Sequence, residues 1–193
     1  MSLVDAGRDG APGWSRLFDE LGDAEWDRLE KDPRSRVAFE VHRRFLRSHV
    51  AEGSDVLEIG AGAGRFTIEL ARMACRVVVS DISPVQLTLN ERHVVEAGAE
   101  SAIIERRLLD VCDLSSVPDD AFDAVVAYGG PLSYAFDRAE ASLAGMLRVV
   151  RPGGVVVASV MELIGTLRMF ISEVPRFARH GRLEVLEVDH GHR

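Results

Sequence analysis

Apolar positions follow two periods along the 193-residue chain. Trp14, Leu17, Phe18 and Leu21 recur at helical spacing, and a longer helical pattern over 33–50 sets Val37, Val41 and Phe45 on one face. Short apolar runs then take over. Val56, Leu57 and Ile59 suit a buried strand over Asp55–Ile59, and further strands are predicted over 77–80, 103–109 and 123–128. Helical stretches lie between them. Phe66, Ile68, Leu70, Ala71 and Ala74 give an apolar face to a helix after strand one, and Pro84, a favoured first-turn residue, opens another that Gly98 ends. A third helix, from about residue 135, carries Phe136, Ala139, Leu143 and Met146 toward the sheet. Pro152, Gly153 and Gly154 turn the chain into strand five, after which a helix over 162–179 and an alternating run over 183–188 are predicted.

Strands that alternate with helices imply an α/β fold with a parallel, doubly wound sheet, and right-handed crossovers leave few topologies. The first dozen residues, rich in Gly, Asp and Ala, are expected to be disordered. The domain plan is therefore an N-terminal helical segment over 1–50, a cap or lid in which Trp14 and Phe18 are either core or cover, followed by a ligand-binding domain over 51–193.

Composition narrows the function classes. A chain of this length with 47% hydrophobic residues suits a single core. The net charge of -8 argues against a non-specific nucleic-acid binder, which needs a positive face to displace phosphate counterions. Arg34, Arg36, Arg43, Arg44 and Arg47 gather on the second N-terminal helix, where they read as a solvated face opposite Val37, Val41 and Phe45. Cys75 and Cys112 follow no metal-ligand spacing, and His190 and His192 have no further ligands beside them, so no metal is expected. No charged start with an apolar core precedes the domain, and no run approaches the roughly 18 apolar residues of a membrane span, so a cytoplasmic protein is expected.

The chemistry concentrates between strand one and the helix after it, in VLEIGAGAGRFT at 56–67. Gly60, Gly62 and Gly64 stand at a strand-to-helix turn, where a Cβ would obstruct both the tight turn and the approach of a ligand to the backbone. Asp81, 21 residues beyond Gly60 at the end of strand two, is placed to accept both hydroxyls of a ribose. The spacing GxGxG, with Arg65 where a dinucleotide fingerprint has its last glycine, matches that fingerprint weakly. Glu58 adds a negative charge that repels a pyrophosphate and tolerates a cation. The single lysine, Lys31, leaves no Walker lysine and no Tyr-x-x-x-Lys pair.

The block resembles the first motif of the class I S-adenosylmethionine (SAM)-dependent methyltransferases, an acidic residue followed by xGxGxG. SDIS at 80–83, LLDVCDL at 108–114, FDAVVAYGGPLSY at 122–134 and LRVVRPGGVVVASV at 147–160 resemble the later motifs in order. That resemblance implies a Rossmann-like sheet of order 3-2-1-4-5 with helices on both faces, and SAM as cofactor. It also implies cofactor contacts from Glu58, Gly60, Ala61, Gly62, Gly64, Arg65, Asp81, Ile82, Asp110, Val111 and Tyr128, with Asp110 meeting the adenine amino group and Val111 the ring. Members of the family usually end in a further antiparallel hairpin. Here that hairpin is expected to be missing or incomplete.

Methyl transfer from a sulfonium is an in-line displacement, and a hydroxyl or protonated amine also needs its proton removed. Tyr128, Tyr134 and His42 are the candidate bases in falling order, although an aromatic at 128 more often packs against the methionine part of the cofactor and a histidine at 42 more often sits at the surface. Tyr-Gly-Gly-Pro at 128–131 replaces the Asn/Asp-Pro-Pro-Tyr/Phe loop of base-directed enzymes, which favours a small-molecule acceptor over DNA. The expectation is transfer to O, N or C of such an acceptor, with no membrane or nucleic-acid partner and with homodimerisation left open. A SAM-binding domain without transfer activity and an NAD(P)-dependent oxidoreductase are the alternatives.

Overall fold

The computed structural model describes residues 10–162. A five-stranded parallel sheet of order β3-β2-β1-β4-β5 forms its centre. Its strands are β1 Asp55–Ile59, β2 Arg76–Asp81, β3 Ile103–Leu108, β4 Phe122–Ala127 and β5 Val150–Ala158. Ahead of the sheet come α1 Ala11–Leu21, a single turn α2 Ala24–Asp27, and α3 Pro33–His49. Between strands lie α4 Arg65–Arg72, α5 Pro84–Glu96, the short α6 Pro131–Tyr134 and α7 Ala139–Val149.

Strand alternation sorts the core into two layers. On one face Val56, Val77, Val79, Ala124 and Val126 pack with Leu46 and Val50 from the end of α3 and Phe66 and Leu70 from α4. On the other, Leu57, Ile59, Val78 and Val125 meet Met146 and Val149 of α7. Order 3-2-1-4-5 reverses direction between β1 and β4, and this is where open parallel sheets bind ligands. Among the described residues no helix is long and apolar enough to cross a membrane.

Several expectations are corrected. Helix α1 begins at Ala11, inside the stretch expected to be disordered, while residues 1–9 lie outside the described residues. Val37, Val41 and Phe45 are exposed rather than buried, at 64%, 60% and 49%. On α3 it is Arg47 (3.1 Å) and Arg43 (3.9 Å) that reach Glu69 of α4, a carboxylate almost wholly buried, which Arg72 of its own helix also meets at 2.5 Å, and both α3 arginines stay partly exposed. Two of the α3 arginines thus serve an ion pair with a buried carboxylate rather than solvent alone.

Pro152, Gly153 and Gly154 lie within β5 instead of preceding it. The ladder with β4 shifts register between Phe122 and Ala124, and a Cβ on Gly154 would stand 2.5 Å from the Asp123 carbonyl oxygen, so the segment is a bulge that only glycine fits. The helix expected from residue 135 begins only at Ala139, as α7; ahead of it Phe136–Arg138 form a 3-10 turn, with Phe136 at a positive φ of 47° and largely exposed. Most of the helix expected over 162–179, the run at 183–188 and the hairpin question lie outside the described residues.

Candidate active site

A cavity of about 240 Å³ opens at the carboxyl ends of β1, β2 and β4. Gly60, Ala61, Gly62, Arg65, Asp81, Ile82, Asp110, Val111, Tyr128 and Tyr134 all line it. The local structure explains their convergence. Gly60, with φ of 68°, lets the β1–α4 loop press against the β4–α6 loop so closely that a Cβ would lie 2.6 Å from Pro131 Cγ. Gly64 caps α4 at φ 104° against Asn90 and, like Glu58 and His42, stands outside the cavity wall.

Asp81 anchors the loop. Its Oδ2 accepts the Gly62 N–H at 2.8 Å and its Oδ1 accepts the Ser83 N–H at 2.9 Å. Burial pushes its pKa up to about 6 against these two bonds, and the charge of Glu25 adds to the rise. A carboxylate offers about four lone-pair sites, so two remain for hydroxyl donors. Asp110 accepts the Cys112 N–H through Oδ1 at 2.9 Å, which fixes its side chain in the turn after β3.

Glu58 does not present a charge to the cavity. It shares a strand face with Val56, beneath α4, where Thr67 Oγ1 donates to its Oε2 at 2.6 Å and Asn90 Nδ2 donates to Thr67 in turn at 2.8 Å. Burial raises its pKa to about 8, so it is protonated at neutral pH and repels no pyrophosphate.

The tyrosines are phenols at neutral pH. Burial raises Tyr128 to about 12 and raises Tyr134 as well. Tyr128 donates to the His42 carbonyl oxygen at 3.2 Å and meets the rings of Phe66 and His42 edge-on, tying α3 to the tip of β4. His42 turns Nδ1 to the Ala38 carbonyl oxygen of its own helix at 2.7 Å.

Residues of α1 and of the α2 turn form part of the cavity wall. Trp14 and Phe18 of α1 pack on Tyr134 at ring distances of 4.6 and 5.6 Å, and Phe136 lies 6.0 Å from Trp14. Ser83 donates to Asp19, Arg92 pairs with Asp23, and Gln86 Nε2 donates to the carbonyl oxygens of Phe18 (3.0 Å) and Gly22 (3.1 Å). Arg65 serves the cap too. Its guanidinium lies 3.6 Å over the Trp26 ring, donates to the Trp26 carbonyl oxygen at 3.1 Å and pairs with Glu30 at 2.9 Å, while Trp26 stacks on His93 at 3.7 Å.

Sequence reasoning missed Glu25 and Arg28, which line the cavity from the cap. Their spacing of three puts them on one side of a helical turn, and that was the only available signal.

The donor set suits an uncharged ribose and a cationic tail better than a pyrophosphate: two carboxylates, Asp81 and Glu25, flank Gly62, and Gln86 Oε1, 3.9 Å from where a Cβ of Gly62 would stand, is buried without a partner among the described residues. A methyltransferase-domain profile matches residues 56–154, just over half of the chain. The chain belongs to the class I SAM-dependent methyltransferases. The nicotinamide alternative falls with that match, and SAM is the cofactor of the family.

Among curated relatives, a ubiquinone/menaquinone biosynthesis C-methyltransferase of Geobacter sulfurreducens is 33% identical over 61% of this chain and 48% of its own length. A ubiquinone biosynthesis O-methyltransferase of Methylocella silvestris is 32% identical over 62% of the chain and 43% of its own length. The chain spans about half the length of these relatives. The structure of the N-methyltransferase NodS from Bradyrhizobium japonicum WM9 with S-adenosylhomocysteine superposes with a TM-score of 0.53 and 27% identity, over 66% of this chain and 63% of that one.

Proposed function

We propose that the protein transfers the methyl group of SAM to O, N or C of a small-molecule acceptor and releases S-adenosylhomocysteine. The observation that carries this reading is the cavity at the β1–β4 switch point, bounded by a glycine loop and Asp81 on one side and an aromatic wall on the other. SAM supplies an electrophilic methyl on a positively charged sulfur. Asp81 would accept the ribose hydroxyls, Ile82 and Val111 would enclose the adenine with Asp110 at its amino group, and the backbone of Gly60, Ala61 and Gly62 would lie under the methionine part.

The acceptor enters against Trp14, Phe18, Tyr134 and Phe136, a wall that favours a planar, largely apolar molecule. Quinone-pathway names among the relatives support an acceptor of that shape. Holding it on the axis of the breaking bond is the main contribution of these rings. With both phenols protonated at neutral pH, Tyr128 and Tyr134 act as packing and hydrogen-donor groups rather than as bases. His42 serves through its carbonyl oxygen, as a support for Tyr128. The location we propose is cytoplasmic, the N-terminal helices are a lid, and a homodimer is compatible with this plan.

Calorimetry with S-adenosylhomocysteine and NADH, followed by mass spectrometry of a phenol, quinol and amine panel incubated with methyl-labelled SAM, tests the proposal. Binding of the nucleoside thioether, none of NADH, and label on at least one acceptor is the expected result. Binding of NADH alone overturns it.

A further inference from the structure

Of the two acidic residues on α2, Glu25 alone faces the cavity. Its side chain is 16% exposed, and its Cγ lies 3.7 Å from the point where a Cβ on Gly62 would stand. Arg28 fastens Oε1 through Nε at 2.7 Å and Nη2 at 2.7 Å. That same Nη2 lies 3.6 Å from the equivalent point on Gly129, at the tip of β4. The pair thus bridges the β1 and β4 loops directly across the switch point, with Oε2 unbonded among the described residues. Glu25 also reaches both ends of the cavity electrostatically, since its charge helps to raise the pKa of Asp81 and that of Tyr134.

A carboxylate held there lies between the ribose end of the site and its aromatic end, which is where the sulfur of the cofactor falls if Asp81 takes the ribose. We propose that Glu25 is the counter-charge of the sulfonium, so that the cavity discriminates the charged methyl donor from its neutral thioether product. This rests on the cofactor placement given under the proposed function. When the methyl leaves, the C–S bonding pair stays on sulfur and the positive charge there disappears, whereas the ammonium and carboxylate of the methionine part are common to donor and product. Only a group that acts on the sulfur separates the two by charge. After transfer Glu25 keeps Arg28 as its partner and loses the other, which favours product release.

Calorimetry on the full chain reads the discrimination without turnover. The probes are SAM, S-adenosylhomocysteine and an analogue that carries an ammonium in place of the sulfonium. In Glu25→Gln the Kd for SAM and for the ammonium analogue is expected to rise about tenfold while that for S-adenosylhomocysteine stays within about twofold, as removal of one partly buried charge requires. Glu25→Asp, which keeps the charge, retains most of the preference. Raising the salt concentration with the unaltered protein weakens SAM more than the thioether, and this arm stands even where the Gln variant unfolds. Equal weakening of SAM and S-adenosylhomocysteine assigns Glu25 to the ammonium or to the fold and overturns the proposal, as does an unchanged ratio. Unaltered protein that binds neither compound strikes at the proposed function itself.

Discussion

The backbone N–H of Gly62 donates to Asp81 Oδ2 at 2.8 Å, a bond between residues 19 apart that fastens the glycine loop to the end of β2. It fixes the distance between the two parts of the site that would meet the cofactor, the loop and the ribose acceptor. Asp81→Ala removes this anchor and the hydroxyl acceptor together, and SAM binding is expected to weaken by about 1.5–3 kcal/mol, the range for hydrogen bonds to a charged group. Acidity does the same reversibly. With its pKa near 6, Asp81 becomes protonated below that value, and each further pH unit reduces the carboxylate fraction about tenfold. The Kd should therefore climb below about pH 6 in the unaltered protein, and calorimetry that shows no such climb removes Asp81 from the cofactor contacts.

Gly60 and Gly62 both sit at positive φ, 68° and 53°, yet they differ in what surrounds them. A Cβ on Gly60 meets Pro131 Cγ at 2.6 Å, and the proline ring cannot swing aside. On Gly62 it meets only Glu25 Cγ and Gln86 Oε1 at 3.7 and 3.9 Å, ordinary contact distances. Gly62→Ala is expected to cost about 1 kcal/mol of stability, the left-handed backbone penalty alone, and Gly60→Ala about 2–3 kcal/mol. Urea denaturation of both variants decides this, and equal midpoints would count against the loop contact.

Trp26 joins the cap to the body of the protein through both faces of its ring, Arg65 on one and His93 on the other. Each contact of this kind contributes about 0.5–2 kcal/mol. Trp26→Ala is expected to speed amide exchange across 11–32 at least tenfold while β1 and β2 keep their protection, and to raise the Kd for SAM several-fold because Glu25 and Arg28 ride on the same segment. Hydrogen exchange followed by mass spectrometry makes the comparison, and uniform protection in the variant would mean that other bonds hold the cap.

The strand positions, the glycine turn and the place of Asp81 at a strand end were legible because each depends on residues close in sequence, an apolar run, a following turn and an acidic residue at the strand end, whereas the strand order and the place of Asp110 came only with the family resemblance. What escaped depends on pairs far apart. The stripe of Val37, Val41 and Phe45 has the right period for a buried face, but it is Arg43 and Arg47 that reach the buried carboxylate of Glu69, and the stripe is left in solvent. Arg65 stands beside the glycines in sequence yet serves Trp26, and Glu25 stands far from them yet closes over Gly62. Phe136 has helical spacing with Met146, but a positive φ places it outside the helix and against the cavity. In each case a tertiary partner outweighed the local pattern.

Glu58 carries the clearest consequence of burial for pH. Desolvation lifts its pKa to about 8, opposed by the Thr67 hydroxyl and assisted by the charge of Asp81, whereas the unfolded chain holds it near 4.5. Between those values the folded state keeps a proton that the unfolded state has lost. Its contribution to stability is therefore fully present below about pH 4.5 and is lost as pH rises toward 8, with a slope of up to about 1.4 kcal/mol per pH unit. Asp81 adds a slope of the same sign only up to about pH 6, so the interval from about 6 to 8 isolates Glu58. Glu58→Gln keeps the size of the side chain and an oxygen for Thr67 but does not titrate. Over that interval its urea-unfolding free energy should stay flat while that of the unaltered protein declines, and parallel curves for the two proteins would show that Glu58 is ionised inside the fold.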